Sequence, residues 1–156
     1  MKIFPVFIPH FGCPFQCIYC NQKFITKVEK PLFDDIKKQI ENFCKNNSGI
    51  EKEIAFFGGT FTSLSKDEQR KCFELVKPFE TEISGIRIST RPDSINDEIL
   101  SFCKENNIKT IELGIQSFDD EVLTASRRGY NAKTALNSCE LVKSYNFNLG
   151  VQLMPG

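Results

Sequence analysis

The chain has 156 residues, with twenty Lys and Arg balanced by twenty Asp and Glu. That length suits one domain that buries roughly 70% of its surface on folding, and the neutral balance excludes broad electrostatic attraction to nucleic acid or membrane while leaving room for a local RNA site. Seven cysteines, an odd count without paired spacings, argue against a secreted disulfide framework and for a reducing, cytoplasmic setting. No uninterrupted apolar run approaches a membrane span. The opening "MKIFPVFIPHFG" has some likeness to a signal peptide, but two prolines and a polar break spoil its apolar region and no small-residue cleavage site follows.

In chain order, "KIFPVFI" (Lys2–Ile8) predicts a first strand, followed by the cysteine-bearing loop "HFGCPFQCIYCNQ". Ile36, Ile40 and Phe43 share one face of a predicted helix. "EIAFFGG" (Glu53–Gly59) is the second strand; "SKDE" (Ser65–Glu68) then reads as a capping box before a helix carrying Cys72, Phe73 and Val76. "IRIST" (Ile86–Thr90) is the third strand, with Ile95, Ile99 and Phe102 on the helix after it. "TIELGIQ" (Thr110–Gln116) is the fourth, followed by a short helix near Asp119 and a longer one with Leu136, Cys139 and Val142 on one face. "NLGVQLM" (Asn148–Met154) is the fifth. All but the third are rich in apolar residues, as strands covered on both faces are.

Strands alternating with amphipathic helices at this spacing imply parallel βαβ units, an α/β class. Five units are visible, whereas a closed eight-unit (β/α) TIM-type barrel takes about 250 residues. The expected architecture is therefore a partial barrel, with residues 1–156 the N-terminal part of a longer core domain.

The cysteines divide into two sets. Cys44, Cys72, Cys103 and Cys139 lie on or beside the apolar stripes of predicted helices, where free cysteine packs as a small hydrophobe. Cys13, Cys17 and Cys20 instead follow the first strand in a loop opened by Gly12 and Pro14. Thiolate is a soft ligand suited to iron–sulfur clusters and zinc. Three thiolates on a four-iron cube leave one iron open, and an open coordination position is the mark of a catalytic metal site. His10 would complete a Cys3His zinc site, and three packed thiols would need no metal; spacing alone leaves both readings open.

"CPFQCIYC" resembles the C-x3-C-x-aromatic-C signature of the radical S-adenosylmethionine superfamily. The resemblance implies a [4Fe–4S] cluster on Cys13, Cys17 and Cys20, whose open iron chelates the amino and carboxylate groups of S-adenosylmethionine. It implies reductive cleavage to a 5′-deoxyadenosyl radical that abstracts hydrogen from substrate. It also implies cofactor contacts further along the chain. Gly58, Gly59 and Thr60, in "FFGGTFTSL", match the motif whose backbone receives the methionine amino group, and glycine permits that close approach. Gln116 matches a position contacting ribose or methionine, and Arg128 one binding the carboxylate, which a planar guanidinium does well. Gln152 matches a polar position facing adenosine, and Tyr19 packs beside cluster and adenine. Ser89 stands where relatives often carry a cofactor-contacting carboxylate; it can hydrogen-bond but supplies no charge. In "ISTRPDSI", Arg91 and Asp93 read as a solvent ion pair, or Arg91 as an orienter of the loop. Tyr130 stands where relatives often have His.

"GCPFQCIYCNQ", "GGTFTSL", "STRPD" and "ELGIQSFDDEVL" together look most like the radical domain of the Elongator catalytic subunit and its bacterial relatives, which modify wobble uridine in tRNA. The oxygen-independent coproporphyrinogen oxidase branch shares the style of the fourth strand. These resemblances imply S-adenosylmethionine as partner, an electron donor such as flavodoxin or ferredoxin, and tRNA as one candidate substrate. A non-catalytic zinc or electron-transfer module is the reading of a different class.

Overall fold

A computed structural model describes residues 1–8, 13–20 and 33–155. Its strands are β1 (Lys2–Phe7), β2 (Lys52–Phe57), β3 (Gly85–Thr90), β4 (Ile108–Gln116) and β5 (Asn148–Leu153). Its helices are α1 (Phe33–Asn46), α2 (Lys66–Val76), α3 (Asp97–Glu105), α4 (Asp120–Ala125) and α5 (Ala132–Ser144). The five strands form one sheet in the order β1-β2-β3-β4-β5, every neighbouring pair parallel. This is the α/β, partial (β/α) barrel architecture expected from the alternation.

Side-chain oxygens start the helices where the sequence marks them. Ser65 Oγ accepts from the Glu68 amide at 3.3 Å while Glu68 Oε2 accepts from the Ser65 amide at 2.9 Å, a reciprocal capping box. Asn96, Asp119 and Asn131 cap α3, α4 and α5 one-sidedly, each side chain accepting from first-turn amides without a return bond.

One face of the sheet carries the core. Ile54, Phe56, Ile88, Ile111 and Leu113 are fully buried there with Ile40, Val76, Leu100 and Val142 of the helices. Each such side chain contributes about 1.5–3 kcal/mol relative to exposure. Phe56 also stacks on Phe61 with ring centroids 5.5 Å apart. Cys44, Cys72 and Cys103 are buried in this layer, and burial pushes the thiols of Cys72 and Cys103 up to about 12.

Two helix expectations are corrected. Leu136 is 52% exposed, and the buried face of α5 runs through Ala135, Ser138 and Val142, with Cys139 beside it. Ser138 Oγ donates to the Pro92 carbonyl, and this docking onto the one-turn helix Pro92–Ser94 turns α5 by about one position. Ile95 packs against the core but precedes the Asn96 cap, so it lies outside α3.

The expectation of two apolar faces is also corrected. Cross-strand register puts Ala55 beside Arg87 and Ser89 beside Glu112 on the face opposite the core. Arg87 bridges two carboxylates there, at 2.8 Å to Glu53 Oε2 and 2.6 Å to Glu112 Oε1, while Thr110 Oγ1 donates to Glu53 Oε1 at 3.0 Å. Burial alone would lower the Arg87 pKa, but its bonds to Glu112 and Glu53 reverse that and raise it. Gly150 makes the space: a Cβ there would stand 2.8 Å from Glu112 Cγ.

Candidate functional site

The polar and glycine-rich strand ends open onto one cavity of about 400 Å³. Cys13, Cys17, Tyr19 and Cys20 line it from the loop after β1. Gly58, Gly59 and Thr60 line it after β2, Ser89 from β3 and Gln116 from the tip of β4. Arg128, after α4, and Gln152, from β5, complete the set, so every site residue expected from the sequence meets in this cavity. His10 and Gly12 lie outside the described residues.

Local structure explains how each side chain arrives. Gly58 has φ +107°, and a Cβ there would come within 2.7 Å of the Ile8 carbonyl and 2.8 Å of the Phe7 ring. Only glycine makes that turn without displacing β1. Thr60 is fully buried just beyond it and hydrogen-bonds Cys13 Sγ at 3.1 Å, tying the cysteine loop to the glycine turn. The loop itself tightens through the Cys20 amide on the Cys17 carbonyl at 3.0 Å. Gln116 follows a register shift in β4 and has φ +73°, a strained conformation for a residue with a side chain. It turns the chain out of the strand at the rim of the cavity.

Arg128 is delivered by the end of α4. The Arg127 amide bonds the Thr124 carbonyl and the Arg128 amide bonds the Leu123 carbonyl, both at 3.0 Å, with Arg127 left-handed at φ +56°. This is a Schellman ending, which leaves Arg127 exposed and sends Arg128 inward, 6% exposed. Every N–H of that guanidinium is engaged. Nε and Nη2 reach Tyr130 Oη at 2.9 and 2.8 Å, Nη1 reaches Cys17 Sγ at 3.2 Å and Tyr19 Oη at 2.9 Å, and Nη2 also donates to the Gly114 carbonyl. Burial would lower the Arg128 pKa, but its contacts with Tyr130, Tyr19 and Cys17 raise it instead. Burial in turn pushes the Tyr19 phenol up to about 12 despite the pull of Arg128. A cation therefore sits permanently beside the cysteine loop.

Two further residues take definite places. Arg91 is 4% exposed, so its pair with Asp93, at 2.9 and 2.8 Å, is no solvent ion pair. It lies over the Phe15 and Tyr130 rings, 4.8 and 5.2 Å from their centroids, and donates to the Arg128 carbonyl. Arg91 thus orients the loop, the second of the two roles the sequence allowed. Tyr130 faces inward, donating to the Gly114 and Ile115 carbonyls at 2.9 and 2.8 Å. Arg87 and Glu112 went unremarked in the sequence; a charged residue inside a short strand was the signal available.

The donor set fits an iron–sulfur cluster with a bound nucleoside cofactor. The sulfurs of Cys13, Cys17 and Cys20 line one side of an open cavity and are soft metal donors, and Arg128, whose guanidinium suits a ligand carboxylate, lines it too. Gly114 keeps space for the facing side chains, since a Cβ there would stand 3.3 Å from Gln116 Nε2 and 3.8 Å from Arg128 Nη2. Among the described residues, no three Cys, His, Asp or Glu side chains gather around a single-ion point. A cluster needs no such point, because each thiolate binds a different iron.

Known proteins are similar in sequence and in fold. The chain is 29% identical to the heme chaperone HemW of Bacillus subtilis, across 100% of this chain and 43% of the relative. It is 28% identical to Elongator complex protein 3 of Mus musculus, across 79% of this chain and 26% of the relative. Among solved structures it resembles native anSMEcpe with bound AdoMet and Cp18Cys peptide, at TM-score 0.65 and 19% identity, over 98% of this chain and 43% of that one. The chain thus spans less than half the length of the relatives it matches. Residues 7–156 match the Radical SAM superfamily, and the chain belongs to that family, whose enzymes use a [4Fe–4S] cluster and S-adenosylmethionine.

Proposed function

We propose that residues 1–156 are the N-terminal part of the catalytic core of a radical S-adenosylmethionine enzyme. The carrying observation is the meeting of Cys13, Cys17 and Cys20 with the Gly58–Thr60 turn, Gln116 and Arg128 in one cavity. In this reading the three cysteines ligate the cluster, the backbone at Gly58, Gly59 and Thr60 takes the methionine amino group, and Arg128 takes its carboxylate with the Nη1 N–H groups that now reach Cys17 Sγ and Tyr19 Oη. Ser89, Gln116 and Gln152 hydrogen-bond the cofactor, and Tyr19 packs along it. When bound, the cluster supplies the electron that opens the sulfonium and starts hydrogen abstraction; the chain's own task is to bind, orient and exclude water.

The substrate reading is wobble uridine of tRNA, in a cytoplasmic enzyme fed by flavodoxin or ferredoxin. The combination of "GCPFQCIYCNQ", "GGTFTSL", "STRPD" and "ELGIQSFDDEVL" and the Elongator relative support it. Anaerobic reconstitution with iron and sulfide tests the core reading. The expected product is a brown species near one four-iron cluster per chain, with a spectrum that shifts on adding S-adenosylmethionine. Stoichiometric zinc without iron would overturn it in favour of a non-catalytic module. The full-length protein then discriminates substrates: turnover with tRNA supports the uridine reading, and turnover with coproporphyrinogen alone removes it.

A further inference from the structure

We infer that Glu112, held by Arg87, is a positioning residue that makes the Ser89–Gln152 wall of the cavity accept hydrogen bonds only, and so selects the ribose hydroxyls of the cofactor. The inference rests on the reading of this cavity as the S-adenosylmethionine site.

The argument is one of donor and acceptor accounting. Glu112 Oε1 takes the 2.6 Å bond from Arg87 Nη1, which fixes the carboxylate as an ion-paired acceptor. Arg87 is itself anchored on Glu53 at 2.8 Å and cannot swing away without leaving that buried carboxylate unpaired. Glu112 Oε2 then accepts from Gln152 Nε2 at 2.8 Å and from Ser89 Oγ at 3.4 Å. A carboxylate offers no proton, so Ser89 must spend its only hydrogen on it. Gln152 must likewise present its NH2 end inward, where a second N–H meets Ser89 Oγ at 3.4 Å. Both donors of Gln152 and the single donor of Ser89 are consumed.

What remains for the cavity is the Gln152 carbonyl oxygen and a Ser89 lone pair, and both residues line it. A wall with two acceptors and no donor suits a ligand edge with two donors, and a vicinal diol is such an edge. Arg128 and the cysteine loop lie elsewhere in the cavity and carry the opposite preference, for anions and metal. Neither Ser89 nor Gln152 would be restricted this way alone, since hydroxyl and amide each can donate or accept. Glu112 does not line the cavity, and it acts through those two residues.

The test titrates S-adenosylhomocysteine and its 2′-deoxy and 3′-deoxy analogues into the anaerobically reconstituted protein by calorimetry, comparing wild type, Glu112→Gln and Ser89→Ala. Glu112→Gln keeps shape but offers an N–H, which lets Ser89 and Gln152 reverse. Wild type is expected to lose up to about tenfold in affinity for a missing hydroxyl, the scale of one hydrogen bond. Glu112→Gln should bind the parent ligand about tenfold more weakly and discriminate the deoxy analogues by about twofold or less. Ser89→Ala should lose discrimination for one of the two hydroxyls, which keeps the inference testable if Glu112→Gln does not fold. A merely structural role for Glu112 lowers the melting temperature and leaves the analogue ratio unchanged. Wild-type ratios in both variants, with wild type binding normally, overturn this inference alone. A wild-type protein that takes up iron but binds none of the ligands overturns the cofactor reading, and this inference with it.

Discussion

Arg128 and Cys17 are 111 residues apart in sequence, and Arg128 Nη1 donates to Cys17 Sγ at 3.2 Å. The bond joins the end of α4 to the loop after β1, so the cationic and thiolate halves of the site form one unit. Arg128→Lys keeps the charge and loses the planar fork. The expected outcome is S-adenosylmethionine affinity lower by on the order of ten- to a hundredfold, the range for charge-assisted hydrogen bonds. Calorimetry on reconstituted protein checks this, with iron content as the control; wild-type affinity in the lysine variant would remove Arg128 from the cofactor site.

The two cysteine sets predict opposite results. Single alanine replacements of Cys13, Cys17 or Cys20 should lower iron per chain sharply after reconstitution, because each removes one cluster ligand. Replacing Cys44, Cys72, Cys103 or Cys139 should leave iron unchanged, since the first three are buried in the helix layer and Cys139 packs against it. Iron and sulfide assays on all seven variants decide the matter. Unchanged iron in Cys17→Ala would show the ligand assignment to be wrong.

Burial raises Cys72 and Cys103 to about 12 from an ordinary 9.0. In the unfolded chain both thiols lose their protons from about pH 9, while the folded chain keeps them to about pH 12. Over that window the unfolded state binds fewer protons, so stability falls as pH rises; below it these groups have no effect. The slope is at most about 1.4 kcal/mol per pH unit for each thiol. Urea unfolding at a series of pH values should show a shallower decline between pH 9 and 12 in the Cys72→Ala, Cys103→Ala double variant. Parallel declines in the two proteins would contradict the burial argument.

Gly58→Ala places a Cβ 2.7 Å from the Ile8 carbonyl at φ +107°. The strained backbone costs about 1–3 kcal/mol, and the displaced turn carries Thr60 and its partner Cys13 with it. A lower melting temperature together with reduced iron uptake is expected. Thermal unfolding and iron assay on one preparation separate the two effects, and full iron uptake would show that the turn does not set the cysteine loop.

Much of this was readable along the chain. Strand boundaries fell within two residues of those observed at every end, because runs of Ile, Val and Phe bounded by polar turns are a local signal. The Ser65–Glu68 box and the Asp119 helix start were legible for the same reason. The side-chain pattern of α5 was not: Leu136 and Ala135 are both apolar, and only docking of Ser138 on Pro92 decides which faces inward.

The sequence by itself determined the βα alternation and the two classes of cysteine, since each is written in short-range spacing and residue chemistry, while the cofactor-contacting residues were legible only through resemblance to a family. Only the tertiary structure decided that Arg87 would join Glu53 to Glu112, that Arg91 would be buried against Phe15 and Tyr130, and that Arg128 would reach Cys17. Parallel strands meet through crossovers of some thirty residues, and which side chains share a face across the sheet depends on the register that helix packing sets.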